Sequence, residues 1–205
     1  PGFCYPMIRL HPTSVNESYE QELAVVHKYL STSNEFVAIG EIGLDLYWDK
    51  TFLKEQILAF EKQIEWALEY DLPIVIHSRE AFEYIYKVME PYKNTALTGI
   101  FHSFTGNAEE AARLLEFGGF MLGINGVVTF KKSSLPDTLP TVPLERIVLE
   151  TDSPYLTPAP NRGKRNESAN VRDTFLKLVE IYRTTPEHLS QATSENALKV
   201  FGMVK

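Results

Sequence analysis

Residues 37–77, VAIGEIGLDLYWDKTFLKEQILAFEKQIEWALEYDLPIVIH, hold two short apolar runs rich in β-branched residues with a long segment of helical spacing between them. The runs are Val37 to Ile42 and Ile74 to His77. Between them Leu53, Ile57, Phe60, Ile64 and Ala67 follow the i, i+4, i+7 spacing of one buried helical face, after the turn-forming Asp49 and Lys50. A strand, an amphipathic helix and a second strand in that order signal a parallel pair joined by a crossover helix.

Outward from this unit the pattern repeats. Further strands are expected near Met7 to Leu10, Thr98 to His102, Phe120 to Ile124 and Ile147 to Thr151, which makes six. Asn107 is placed to cap a helix with Glu110 three residues on, and Gly118-Gly119 stops that helix before the next strand. Pro136, Pro140 and Pro143 break the stretch before Ile147 into a loop or short turns, and Asn161 to Ser168 reads as a polar, basic loop. Two helices, Ala169 to Arg183 and Pro186 to Phe201, are expected to close the chain. The fold class is α/β, a (β/α) TIM-like barrel with about six of its eight units. The 205 residues form a single domain in this reading, shorter than the ~250 residues typical of such barrels. The chain opens on Pro1-Gly2-Phe3 just before its first strand, so the expectation is a barrel lacking its first two βα units.

Four polar residues able to bind metal close four of these strands: Glu41, His77, His102 and Asp152. Parallel barrel strands bring such ends to one face, where barrel enzymes carry their catalytic groups. Two carboxylates and two imidazoles there suit hydrolysis assisted by zinc, manganese or magnesium, and the nitrogen donors favour the transition metals. Taken singly, a strand-end His is often a hydrogen-bonded structural residue, and a lone Asp or Glu a helix cap. Four at the same end of four strands are harder to explain independently.

Composition narrows the class. With 44% hydrophobic and 23% charged residues the chain has material for a sizeable core. No run reaches the ~18 apolar residues of a membrane span, and the opening residues lack the pattern of a secretion signal. The expectation is a cytoplasmic protein. The single Cys4 excludes a Cys-rich zinc site. A net charge of −7 argues against a broad basic face for duplex DNA, but bound divalent cations would supply positive charge at a reacting phosphate. The sequence specifies no oligomeric state.

The segments Gly40-Glu41-Ile42-Gly43-Leu44-Asp45, Pro73-Ile74-Val75-Ile76-His77-Ser78-Arg79 and Leu149-Glu150-Thr151-Asp152-Ser153-Pro154-Tyr155-Leu156 resemble, in order, three signature segments of the TatD family of metal-dependent deoxyribonucleases. Leu10-His11-Pro12, Ile100 to Gly106 and Arg162 to Glu167 are similar to further family segments, so the resemblance runs through most of the chain. It implies a TIM-like barrel that hydrolyses phosphodiester bonds in DNA with one or two divalent metal ions. Residue by residue it implies Glu41 as a shared ligand, His77 and His102 as imidazole ligands, and Asp152 as a ligand beside the attacking water, with Asp152 and Glu41 as the catalytic carboxylates. His11 and Arg79 match positions beside the site and are expected to contact substrate phosphate; Arg79 reads equally as a structural ion-pair partner. Arg162 and Lys164 read as phosphate contacts or as part of a solvated basic loop.

Three departures stand out. The His-x-His pair that the family carries on its first strand occurs nowhere in these residues, which implies weaker metal binding than in an intact site. Arg9 stands where the family usually has Gly, and Ser168 where Pro is common. Two other readings compete: a related barrel hydrolase acting on an ester or amide, and a non-catalytic fragment.

Overall fold

In the computed structural model, described over residues 4–203, the chain divides into two compact units, Pro1–His102 and Ser103–Lys205. The opening Pro1-Gly2-Phe3 lies outside the described residues. The first unit runs β1 (Met7–Ile8), α1 (Tyr19–Thr32), β2 (Ala38–Asp45), α2 (Leu53–Glu69), β3 (Ile74–Arg79), α3 (Phe82–Met89) and β4 (Gly99–Phe101). Its strands pair in parallel and in chain order, Ile8 opposite Ile39, Ile39 opposite Ile74 and Ile74 opposite Gly99. The second unit runs α4 (Ala108–Leu115), β5 (Phe120–Ile124), α5 (Leu135–Thr138), β6 (Ile147–Leu149), α6 (Val171–Tyr182) and α7 (Pro186–Val200). Here β5 and β6 pair in parallel, Leu122 opposite Ile147.

Each expected strand is present, β5 with the expected limits and the others with different ones. β1 stops at Ile8, β4 at Phe101 and β6 at Leu149, so His102 and Asp152 lie just beyond their strands. β2 instead continues past Ile42 to Asp45, through Gly43. Glycine in a strand reads as a stop, but here it permits close contact: Gly43 has φ 133°, and a Cβ there would collide with the His77 carbonyl of the neighbouring strand. The capping box of α4 forms as read, Glu110 N–H donating to Asn107 at 3.0 Å and Asn107 N–H donating to Glu110 at 2.8 Å. The prolines after β5 delimit a four-residue helix and short 3-10 turns. α6 and α7 match the two expected closing helices to within two residues.

β2, β4, β5 and the first half of β3 are buried on both faces, as parallel strands covered by crossover helices must be, while β1 is part-buried. Ala38, Ile39, Ile42, Leu44, Ile74 and Ile76 are all inaccessible to solvent. α2 packs on β2 and buries Ala59, Phe60, Ile64 and Ala67. Its buried face is rotated from the expected one. Leu53 and Ile57 are only part-buried, and the interior positions 56 and 63 belong to glutamines.

Those two glutamines hold backbone where the site begins. Gln56 accepts from Asp45 N–H at 2.9 Å and donates to Asp45 C=O at 3.2 Å. One heptad on, Gln63 accepts from Leu10 N–H at 2.6 Å and donates to Leu10 C=O at 3.1 Å, beside His11. A side-chain amide can satisfy a backbone N–H and C=O together, which no apolar residue can do. Gln63→Ala strands both Leu10 groups in the interior, at ~1–3 kcal/mol for each buried group left unpaired. Urea unfolding of the variant is expected to show a loss of roughly 2–4 kcal/mol. A loss no larger than that of a surface Gln→Ala control would show that Leu10 finds other partners.

Candidate metal centre

Glu41 reaches the site through an irregularity of β2. Gly40 pairs with Val75 and Ile42 with Ile76, so Glu41 is the extra residue of a bulge between them. A bulge breaks the strict alternation of a strand and re-aims a side chain. Gly40 makes room for it, since a Cβ there would lie 2.6 Å from Val75 Cβ. Glu41 is the one part-buried residue in an otherwise buried strand. Three imidazoles of the first unit surround it. His11, Glu41 and His77 offer ligand atoms that all lie within 4.8 Å of one another, and those of Glu41 and His102 are equally close. The His11 and His77 rings lie with centroids 4.8 Å apart.

The tautomers of two of these rings follow from their partners. His77 Nε2 lies 2.9 Å from Oδ2 of Asp45, which is 3% exposed. A carboxylate only accepts, so Nε2 carries the proton and Nδ1 keeps the lone pair needed for a metal. His11 is oriented the other way. Its Nδ1 accepts from Thr13 N–H at 3.2 Å, so the neutral ring carries its proton on Nε2, which faces Glu41 Oε2 at 3.6 Å. Asp45 was not among the expected site residues, although it closes the first signature segment; nothing in the linear pattern pairs it with a histidine 32 residues on.

Electrostatics favour an ionised Glu41 beside a neutral His77. The Glu41 carboxyl is held down to about 2, first by the facing His11 N–H, against the upward push of burial, and then by His102, Arg9 and the His11 charge. His77 is pushed below its ordinary value by burial first; Asp45 opposes this, and His11 and His102 add to it. An ionised Glu41 and a neutral His77 with Nδ1 free suit a divalent transition metal.

The sign of the pH dependence follows. A depressed Glu41 pKa contributes stability that is complete above pH 4.5 and is lost as pH falls toward 2. His77 adds to the loss below its ordinary 6.5, because the unfolded chain takes up that proton first. Thermal melts in chelator are therefore expected to show wild type more stable than Glu41→Gln at pH 7, with the gap closing between pH 4.5 and about 2. Parallel curves would place the carboxyl in an ordinary environment.

In the second unit Asp152 follows β6 in the left-handed region, φ 55°. Its C=O accepts from Tyr155 N–H at 2.8 Å, forming a tight turn. The turn is clamped by Asn166, which is 3% exposed and donates to Thr151 C=O at 2.8 Å and Tyr155 C=O at 2.6 Å. The loop read as polar and basic thus hides a buried residue. Glu150 accepts from Ser103 N–H at 2.7 Å and from the buried Asn125 amide at 3.1 Å, so it braces the backbone following β4. Arg162 lies 3.7 Å from the centroid of the Phe130 ring, and Lys164 is exposed. Arg79, expected on phosphate or in an ion pair, stacks 3.8 Å from the centroid of the Tyr47 ring.

Known proteins share both sequence and fold with this chain. The sequence profile described as TatD related DNase matches residues 1–202. An uncharacterized metal-dependent hydrolase of Bacillus subtilis, YabD, is 40% identical over 200 residues, 97% of this chain and 78% of the relative. A protein of Erwinia billingiae named 3'-5' ssDNA/RNA exonuclease TatD is 33% identical, covering 98% of this chain and 78% of its own length. The crystal structure of YjjV, a TatD homolog from Escherichia coli, superposes with a TM-score of 0.90 at 28% identity, over 97% of this chain and 76% of that one. Its likeness bears out the (β/α) TIM-like barrel class expected from the alternation of strands and helices. With the profile matched almost end to end, the chain belongs to the TatD related DNase family of metal-dependent hydrolases.

Proposed function

We propose that the chain hydrolyses phosphodiester bonds in DNA, with Glu41, His77, His102 and Asp152 as ligands of one or two divalent ions. The observation that carries this is the convergence of an ionised carboxylate with imidazoles from neighbouring parallel strands, all within 4.8 Å of Glu41. Asp152 joins the set on its position three residues past the end of β6, in the third signature segment. The exonuclease name of the 33% identical relative favours a nucleic-acid phosphodiester over an ester or amide.

Each residue has a distinct task. Glu41 supplies negative charge that persists to about pH 2. His77 is oriented by Asp45 so that Nδ1 is left free and would hold an ion. Asp152 accepts the proton of the attacking water. His11 Nε2–H, already directed into the site, donates to a non-bridging phosphate oxygen, and Arg162 and Lys164 contact phosphates further along the strand. A bound divalent ion supplies Lewis acidity, lowering the pKa of water at the site and offsetting charge on the phosphoryl oxygens. In a chain of net charge −7 such an ion would supply the local positive charge that a phosphate needs.

The test is a comparison of substrates. A single-stranded oligodeoxynucleotide, an aryl ester and an aryl amide are offered to the chain with manganese and with chelator. Metal-dependent shortening of the oligonucleotide is expected. Turnover of the ester or amide with the oligonucleotide intact would reassign the reaction to carbonyl chemistry.

A further inference from the structure

At the C-terminal ends of β2 and β3, the strands that carry Glu41 and His77, lies an aromatic cluster to which the reading above gives no task. Trp48 is 73% exposed and Tyr47 49% exposed, and their rings meet edge to face with centroids 4.8 Å apart. The Arg79 guanidinium lies 3.8 Å from the Tyr47 centroid and 5.5 Å from that of Trp48. Scattered exposed aromatics are ordinary, but three planar groups gathered at one place are not.

The cluster is tied to the site. Tyr47 N–H donates to Asp45 Oδ1 at 3.1 Å, while the other oxygen of that carboxylate holds His77. Leu46 N–H donates to Arg79 C=O at 2.9 Å, so the two segments bearing the planar groups are joined by their backbones. Tyr47 stands two residues past Asp45 and Arg79 two past His77. At ~3.3 Å per residue, the Arg79 side of the platform begins about 7 Å along the strand from the proposed ligand His77, comparable to one nucleotide step of an extended strand.

We infer that Tyr47, Trp48 and Arg79 form a platform on which an unpaired nucleobase stacks, next to the phosphodiester held at the metal centre. Charge supports a base as the occupant. With a net charge of −7 the chain has little long-range attraction for a polyanion, so the few local phosphate contacts gain from added contacts that do not depend on phosphate charge. Aromatic faces and a stacked guanidinium supply them for any base, which gives sequence tolerance. They require the base to be unpaired, because the faces of a paired base are already covered in the duplex. This inference rests on the nucleic-acid reading above and adds the recognition element.

The chain reports on the platform by itself. Of its two tryptophans, Trp66 is 5% exposed and stacked on His27, so a fluorescence change on adding a strand isolates Trp48. Oligothymidylate is titrated without added metal, so that the strand stays intact, alongside an abasic strand of equal length and a duplex. Oligothymidylate is expected to quench the emission and the other two to leave it unchanged. By anisotropy of labelled oligothymidylate, Trp48→Ala is expected to weaken binding about tenfold, and Trp48→Phe to recover most of that loss. In strand hydrolysis with manganese, Trp48→Ala is expected to raise KM rather than lower kcat. Equal affinity of the abasic strand, or Trp48→Ala binding within twofold of wild type, would overturn the platform. The nuclease reading fails separately, if wild type binds and quenches yet cuts no strand with manganese.

Discussion

Glu41→Gln is expected to lower metal-dependent hydrolysis by about a thousandfold, the consequence of losing several kcal/mol of charge stabilisation at the reacting centre. The substitution keeps the shape of the side chain and removes its charge. Glu41 sits on a bulge, where its backbone makes no regular pair with β3, so the change touches little of the sheet. His11, His77 and His102 would then surround a neutral amide, and a divalent cation would lose the carboxylate that the site keeps ionised to about pH 2. Calorimetric titration with manganese should show weakened binding in parallel with the activity loss. The fold should persist, with a midpoint within several degrees of wild type at pH 7. Wild-type metal affinity in the variant would remove Glu41 from the ligand set and leave its low pKa as a structural feature.

The fold was legible because its signals are long-range in composition but simple in kind. The apolar runs at 37–42, 74–77 and 120–124 fall on strands, and the capping box at Asn107 and Glu110 forms as written. What failed to show were features decided by tertiary packing. α1 was not singled out, because its buried Leu23, Val26 and Leu30 are interleaved with the exposed Val25 and Tyr29, which blurs the stripe. Gln56 and Gln63 occupy core positions of α2 for the sake of backbone groups that are 11 and 53 residues away in sequence. Asn166 is hidden in a loop of charged neighbours for the same reason. The site residues were visible as polar endings of apolar strands, which locates them but says nothing of orientation. The bulge at Glu41 and the opposite tautomers of His11 and His77 arise from neighbours that only the folded chain brings close.

Asp45 shows what that missing information is worth. Its carboxylate has no face toward solvent and two assigned partners, the His77 ring and the Tyr47 backbone. Through the first it fixes which imidazole nitrogen is free, so it is a positioning residue rather than a ligand. Loss of such a partner typically costs 10–100-fold in metal affinity. Asp45→Ala is expected to weaken manganese binding by about that much, and Asp45→Asn less, because the amide oxygen still accepts from Nε2–H but carries no charge. A general loosening of the fold would lower affinity too, so a second readout is needed. Asp45 raises the His77 pKa against the downward push of burial, and removing it should drive that pKa further down. In the metal-free chain, the His77 ring followed by nuclear magnetic resonance against pH should titrate at lower pH in Asp45→Asn than in wild type, and should lose its single Nε2–H tautomer in Asp45→Ala. An unshifted titration with an intact tautomer would mean that His77 is oriented by something else, and that any loss of affinity comes from the Tyr47 turn.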